Sequence, residues 1–204
     1  MFGLGIGPTD VDLTWRGDDL SFAWMTQLNP TFGEPFLDRV GAAATLRLPF
    51  EALDAGLPVQ TVSCGVPYVM VPLRSRQLVD EASFDAKEYE TFKHRHGLND
   101  QECVFLFSAE RGNDGAIAYS RMFAPGIGIV EDPATGSAGG PLGCYLVQHG
   151  VVLPERAGSM LSRQGVKMGR PSDIHIAIGA SDGRITSVRV GGESVLAGEG
   201  TLYI

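Results

Sequence analysis

The segment Glu131-Asp132-Pro133-Ala134-Thr135-Gly136-Ser137-Ala138-Gly139-Gly140-Pro141 holds two acids, two hydroxyls, three glycines and two prolines in eleven consecutive positions. A strand-like run ends before it, and a helix-like run over residues 142–148 follows it and stops at Gly150. Proline lacks an N–H and its ring clashes with the preceding turn, so Pro141 belongs in a helix's first turn. It predicts a helix that starts near Ser137, itself a good N-cap residue. The amides of residues 136–140 then have few intrahelical acceptors and face outward from the positive end of the helix dipole. Glycine lets a ligand come close, so a carboxylate or other small anion fits there. Asp132 precedes a proline, which favours an extended backbone and presents its carboxylate beside that anion. The same residues would also make a plain capped turn, in which Thr135 and Ser137 serve only the helix.

Working outward, residues 138–147 are small or apolar on nearly every side, the pattern of a helix buried within a sheet. Strands are predicted at 59–63, 68–73, 104–108, 116–123, 174–178, 185–190, 194–196 and 201–204, where β-branched and aromatic residues concentrate. Residues 11–15 and 20–25 read as a hairpin across Arg16-Gly17-Asp18-Asp19. Residues 36–46 have helical spacing, with Asp38 near their start, and 80–96 predict one charged surface helix ended by Gly97. Gly56-Leu57-Pro58 reads as a linker. Strands and helices do not alternate regularly, which favours an α+β fold of curved, mostly antiparallel sheets over a doubly wound one.

Composition narrows the function. With 44% hydrophobic and 20% charged residues among 204, the chain has enough apolar material for a core. A formal net charge of −8 makes a nucleic-acid backbone a poor partner, and none is expected. No run approaches the ~20 apolar residues that span a bilayer. Three dispersed cysteines, with no C-x-x-C pair, argue against a disulfide framework and against a zinc site. The opening MFGLGIGPTD has no basic n-region, so a reducing cytoplasm is expected. His94 and His96 fall on the charged helix and are expected to face solvent. His149 is placed to complement a helix C-terminus, and His175 alternates within a strand.

Residues 121–146, RMFAPGIGIVEDPATGSAGGPLGCYL, resemble the signature of the phenazine-biosynthesis-type (PhzF-like) isomerases, relatives of diaminopimelate epimerase and proline racemase. PVQTVSCG at 58–65, Gln164-Gly165, Gly169-Arg170-Pro171-Ser172, Val190-Gly191-Gly192 and Glu199-Gly200 resemble that family in the same order. The resemblance implies a diaminopimelate epimerase-like fold, in which two curved sheets each wrap a central helix and the helix starts face one cleft. It implies movement of a proton on a small carboxylic acid without metal or organic cofactor. Asp132 would act on a polar group of the substrate, and Thr135, Gly136, Ser137 and Ala138 would bind it, with Gly136 and Ser137 supplying donors to its carboxylate. Glu131 neighbours the site but is not the family's proton carrier. Arg170 either lines the cleft or binds a carbonyl, and Cys144 is a small core residue.

One departure from the family bears on activity. The family's first domain carries a glutamate ahead of a Thr-Phe pair and a Gly-His helix start, and residues 1–55 of this sequence have neither. Glu34 and Glu51 stand outside any matching motif. The resemblance therefore implies a remnant of the first domain at residues 1–55, a complete second domain at 56–190, and terminal strands at 191–204 that return toward the first. Leu13, Trp15, Phe22 and Trp24 would need another surface, which makes a homodimer the expected assembly. The alternative to an active isomerase is a catalytically incomplete module that binds a small carboxylate.

Overall fold

The computed structural model describes residues 2–4, 7–99, 102–181 and 183–201. The N-terminal part forms β1 (Phe2–Leu4), β2 (Gly7–Thr9), β3 (Val11–Arg16), β4 (Asp19–Gln27), β5 (Thr31–Pro35) and α1 (Arg39–Ala44). The middle forms β6 (Gln60–Ser63), β7 (Pro67–Pro72), α2 (Arg76–Glu81), α3 (Ala86–His96), β8 (Cys103–Ser108), β9 (Ala118–Ala124) and β10 (Ile129–Asp132). Then come α4 (Gly136–Gln148), β11 (Met160–Gln164), β12 (Ser172–Ser181) and β13 (Arg184–Glu193).

One sheet runs β3-β4-β13-β12-β11-β9-β8-β7-β6-β5, with β10 paired to β9. Its pairs are antiparallel except β7 with β8 and β9 with β11. The helix α4 touches β12 and β13, and also β6 and β7 much further along the sheet, so the sheet curls around it.

Side-chain alternation sets the layers, because successive strand residues point to opposite faces. Tyr68 and Met70, with Phe105 and Phe107, face the inner core around Leu142, Tyr145 and Leu146 of α4. Their neighbours Val69, Val71, Val104 and Leu106 face the outer core, where Ala43, Val79, Tyr89 and Phe92 from α1, α2 and α3 cover them. Strands buried on both faces read as continuous apolar runs, as VFLF at 104–107 does.

Several expectations are corrected. The single helix at 80–96 is two, broken at Ser83-Phe84-Asp85, with Ser75 and Asp85 as side-chain caps and Gly97 ending α3 at φ 66°. It is not a surface element throughout, since Tyr89 and Phe92 are buried, and a polar majority concealed that pair at i, i+3 spacing. The helix at 36–46 contracts to α1, where Asp38 caps Gly41 N–H at 2.9 Å. Residues 194–196 form no strand, because β13 takes the ladder only to Glu193. The strand expected at 201–204 lies outside the described residues beyond Thr201.

Candidate functional site

The helix α4 fits into the curled sheet because one of its faces has almost no side chains. A Cβ on Gly139 would stand 2.9 Å from Val190, and one on Gly143 would stand 2.5 Å from Ile176. Real Cβ atoms do not approach so closely, so glycine at these positions sets how near the helix lies to β12 and β13. Pro141 stands deeper than the sequence argument requires: α4 starts at Gly136, and the proline is its sixth residue. It removes the donor that would reach the Ser137 carbonyl one turn back.

Thr135, not Ser137, is the N-cap residue. Asp132 shapes this corner by accepting the Thr135 hydroxyl at 2.7 Å and, at the limit of a hydrogen bond, the Ala134 amide at 3.5 Å. Gln164 at the end of β11 is fully buried and closes the corner from the other side. Its Oε1 accepts Thr135 N–H at 3.2 Å, and its Nε2 donates to Asp132 C=O at 2.7 Å and Thr135 Oγ1 at 2.9 Å. Ala138 lies behind the rim, with no exposure and its N–H given to Thr135 C=O at 3.1 Å, so it contributes packing.

Gly136 and Ser137 remain. Their amides stand in the first turn, and among the described residues neither has a backbone acceptor. The Gly136 carbonyl is held by Gln27 Nε2 at 3.0 Å, and the Ser137 hydroxyl lies 2.6 Å from the Tyr68 hydroxyl. Burial pushes the Tyr68 phenol up to about 12 against the opposing hydrogen bond to Ser137, so it is protonated at neutral pH. With Tyr68 donating, the Ser137 hydrogen is left for a ligand.

Two cavities meet at this helix start. One, of about 770 Å³, is lined by Met25, Ala134, Gly136, His175, Gly191 and Glu193 among others. The second, of about 200 Å³, is lined by Asp10, Met25, Gln27, Cys64 and Ser137 among others. Two amides at the positive end of a helix, an oriented hydroxyl and adjoining space can hold a small anion.

Neighbouring groups divide into structural and open ones. Glu131 turns away from Asp132 and holds Arg121 through two contacts, at 2.8 and 2.9 Å, while Arg121 Nη1 caps the carbonyls of Val79 and Ala82 at the end of α2. Arg170 is exposed in the loop between β11 and β12, next to Pro171 on the larger cavity's wall. His94 is exposed as expected, whereas His96 is half-buried and packs its ring 4.5 Å from that of Phe92. His149 meets Gln60 Oε1 at 2.9 Å, and burial lowers its pKa. It is thus neutral rather than a charge complementing the helix dipole. Cys144 is a fully buried core residue on α4. Among the described residues no group of three or more His, Cys, Asp or Glu could hold a metal ion. No helix among them is long and apolar enough to cross a membrane.

Tyr68, Gln164 and Gln27 were not singled out from sequence as site residues. Gln164 belongs to a stretch that resembles the family, the one available signal; Tyr68 and Gln27 lie on strands far from the motif in sequence.

Comparison with known proteins matches this arrangement. A family model described as "Phenazine biosynthesis-like protein" (PhzC-PhzF) matches residues 5–200. The chain is 32% identical over 195 residues to "Uncharacterized isomerase YddE" of Escherichia coli K12, covering 93% of this chain and 63% of that protein. It is 42% identical over 151 residues to the trans-2,3-dihydro-3-hydroxyanthranilate isomerase of Pseudomonas chlororaphis, covering 74% of this chain and 50% of that protein. A Bacillus anthracis phenazine biosynthesis protein of the PhzF family superposes with a TM-score of 0.77 at 18% identity, covering 94% of this chain and 64% of that one. A predicted epimerase from Pseudomonas aeruginosa superposes with 0.69 at 27% identity and the same coverage. The chain spans less than two thirds of the length of these relatives. With the motif at the start of a sheet-wrapped helix and a family match along nearly its whole length, this chain belongs to the phenazine biosynthesis-like family.

Proposed function

We propose that the chain acts in a cofactor-independent isomerase or epimerase that moves a proton between carbons of a small carboxylic acid. The observation that carries this is the pair of amides at Gly136 and Ser137, without backbone acceptors and opening onto two cavities. A substrate carboxylate seated there keeps the same donors as enolate-like charge develops on its oxygens, so the interaction strengthens toward the transition state. The Ser137 hydroxyl, supported by Tyr68, adds a third donor. Asp132 Oδ1, engaged only weakly by Ala134, has lone pairs left for an amino or hydroxyl group of the substrate. The name of the Pseudomonas relative makes a hydroxy- and amino-substituted ring carboxylate the first compound to test.

Asp132 also favours a second reading, a binding or regulatory module. Its carboxylate is already committed to Thr135, a role that fixes the helix start without moving a proton. Amide shifts at Gly136 and Ser137 on titration with trans-2,3-dihydro-3-hydroxyanthranilate, with deuterium entering its carbon skeleton in heavy water, support the isomerase. Shifts without deuterium uptake support the module, and unshifted amides remove both.

The same proposal places the protein in the cytoplasm and treats residues 56–190 as the complete epimerase-like domain, with 1–55 and 191–204 belonging to its neighbour. Supporting this, β6, β7, β12 and β13, the strands α4 packs on most, lie between residues 60 and 193, although Gln27 of β4 also reaches the Gly136 carbonyl. Leu13 and Trp15 on the edge strand β3 are each 49% exposed, which supports a homodimer through that edge. Sedimentation of a monomer at micromolar concentration would remove the dimer from the proposal.

A further inference from the structure

Cys64 follows β6 and Cys144 lies in the middle of α4, eighty residues apart in sequence, yet their sulfurs are 3.9 Å apart in the buried interior. We propose that these two thiols form a redox-active pair that closes to a disulfide in reaction with hydrogen peroxide.

Geometry supports the pair on three counts. The sulfurs are already in contact, so the bond needs an approach of roughly 2 Å, within reach of side-chain rotation and a small loop shift. The loop can supply that shift, because Cys64 is followed by Gly65 at φ 128° at the end of a strand. Access is also provided. Cys64 lines the smaller cavity, and hydrogen peroxide is small enough to enter about 200 Å³ of space.

The two thiols are not equivalent. Cys144 has no exposure, and its hydrogen bond with Cys64 together with burial pushes its pKa upward. Cys64, on the cavity wall, is therefore the sulfur that meets the oxidant. The Cys64 thiolate attacks one peroxide oxygen and breaks the O–O bond. The hydroxide released takes up the thiol's proton and leaves as water, and Cys64 becomes a sulfenic acid. The Cys144 sulfur then attacks Cys64 Sγ, and the sulfenic oxygen departs as a second water with the Cys144 proton. Two thiols are oxidised by two electrons, and one peroxide is reduced to two waters. A dithiol reductant reverses the bond by exchange.

Cys144 lies seven residues beyond Ser137, two turns along the same helix face. The disulfide thus ties the turn after β6 to the helix face that carries Ser137. Any consequence for anion binding rests on the proposed function, whereas the bond can be tested without it.

The test treats the reduced protein with hydrogen peroxide and measures intact mass, thiol count and non-reduced peptide maps. The expected product has lost two hydrogen atoms, has one titratable thiol left of three, and yields a Cys64–Cys144 cross-linked peptide that dithiothreitol separates. Cys103→Ala should preserve this product, and Cys64→Ala and Cys144→Ala should each abolish it. The proposal is overturned by an unchanged thiol count, by sulfinic acid at Cys64 beside an intact Cys144 thiol, or by a cross-link through Cys103 or between chains. The wild-type measurements stand alone, so a variant that fails to fold leaves the outcome decided.

Discussion

Asp132 and Ser137 are five positions apart, and the structure gives them different kinds of work. Asp132 holds the corner before the helix by accepting the Thr135 hydroxyl, while Ser137 faces the smaller cavity with Tyr68 behind its hydroxyl. If the chain, alone or completed by the rest of a full-length relative, turns over a carboxylic acid, Asp132→Ala should lower kcat/KM by roughly 10²–10⁴. Losing the contact to Thr135 should also cost about 1 kcal/mol of stability, so circular dichroism must show the variant folded before rates are compared. Unchanged turnover would remove Asp132 from the chemistry. Ser137→Ala deletes one donor and should weaken binding of a small carboxylate by about 1 kcal/mol, roughly fivefold. Equal affinities by calorimetry would leave Ser137 as a helix-start residue only. Its amide remains in the variant, so the loss should be partial.

At the scale of the element, α4 is a helix whose low side-chain bulk is a packing requirement. Gly143 faces Ile176 and Ile178 with no room for a methyl group. Gly143→Ala should therefore destabilise the fold by about 1–3 kcal/mol, although alanine is the better helix former in isolation. Urea denaturation distinguishes the two effects: a stabilised variant would mean that the helix is free to move away from β12. Another fixed element is the start of α2, where Arg76 donates to Asp114 through Nη1 at 2.7 Å and Nη2 at 3.0 Å. These hydrogen bonds lead the causes that lower the Asp114 pKa from 3.8 to about 2. Since the folded pKa is the depressed one, the contribution is present above pH 3.8 and is lost as pH falls toward 2. Asp114→Asn should reduce stability at pH 7, and the denaturation midpoints of variant and wild type should converge near pH 2. A constant gap across that window would rule out the ion pair as its source.

For the whole molecule, the sheet's curl converts a local motif into a site. Residues from β4, β7 and β11 reach the start of α4 because strands distant along the sheet face one another across the helix. The opposite outcome appears at β3, an edge strand that leaves Leu13 and Trp15 half exposed. Phe22 and Trp24 on β4, also expected to need a covering surface, instead pack with His175 at 5.1 and 6.4 Å between ring centres, and Arg189 lies over Trp24.

The sequence by itself determined the buried helix, its glycine-rich start, the β3–β4 hairpin and the α+β class. Each of these rests on local constraints: the missing N–H of proline, the absent Cβ of glycine, and the period of two along a strand. The helix start expected near Ser137 falls one residue from the observed Gly136, which leaves Pro141 as the sixth helical residue, just beyond the first turn. Only the tertiary structure decided that Thr135 caps the helix, that Ala138 lies behind the rim, and that Glu131 belongs to Arg121. It alone brought in Tyr68 and Gln164, which are 69 and 29 residues from the groups they orient. Side chains so far apart meet because the sheet closes around α4, and no local pattern of residues encodes the angle at which it does so.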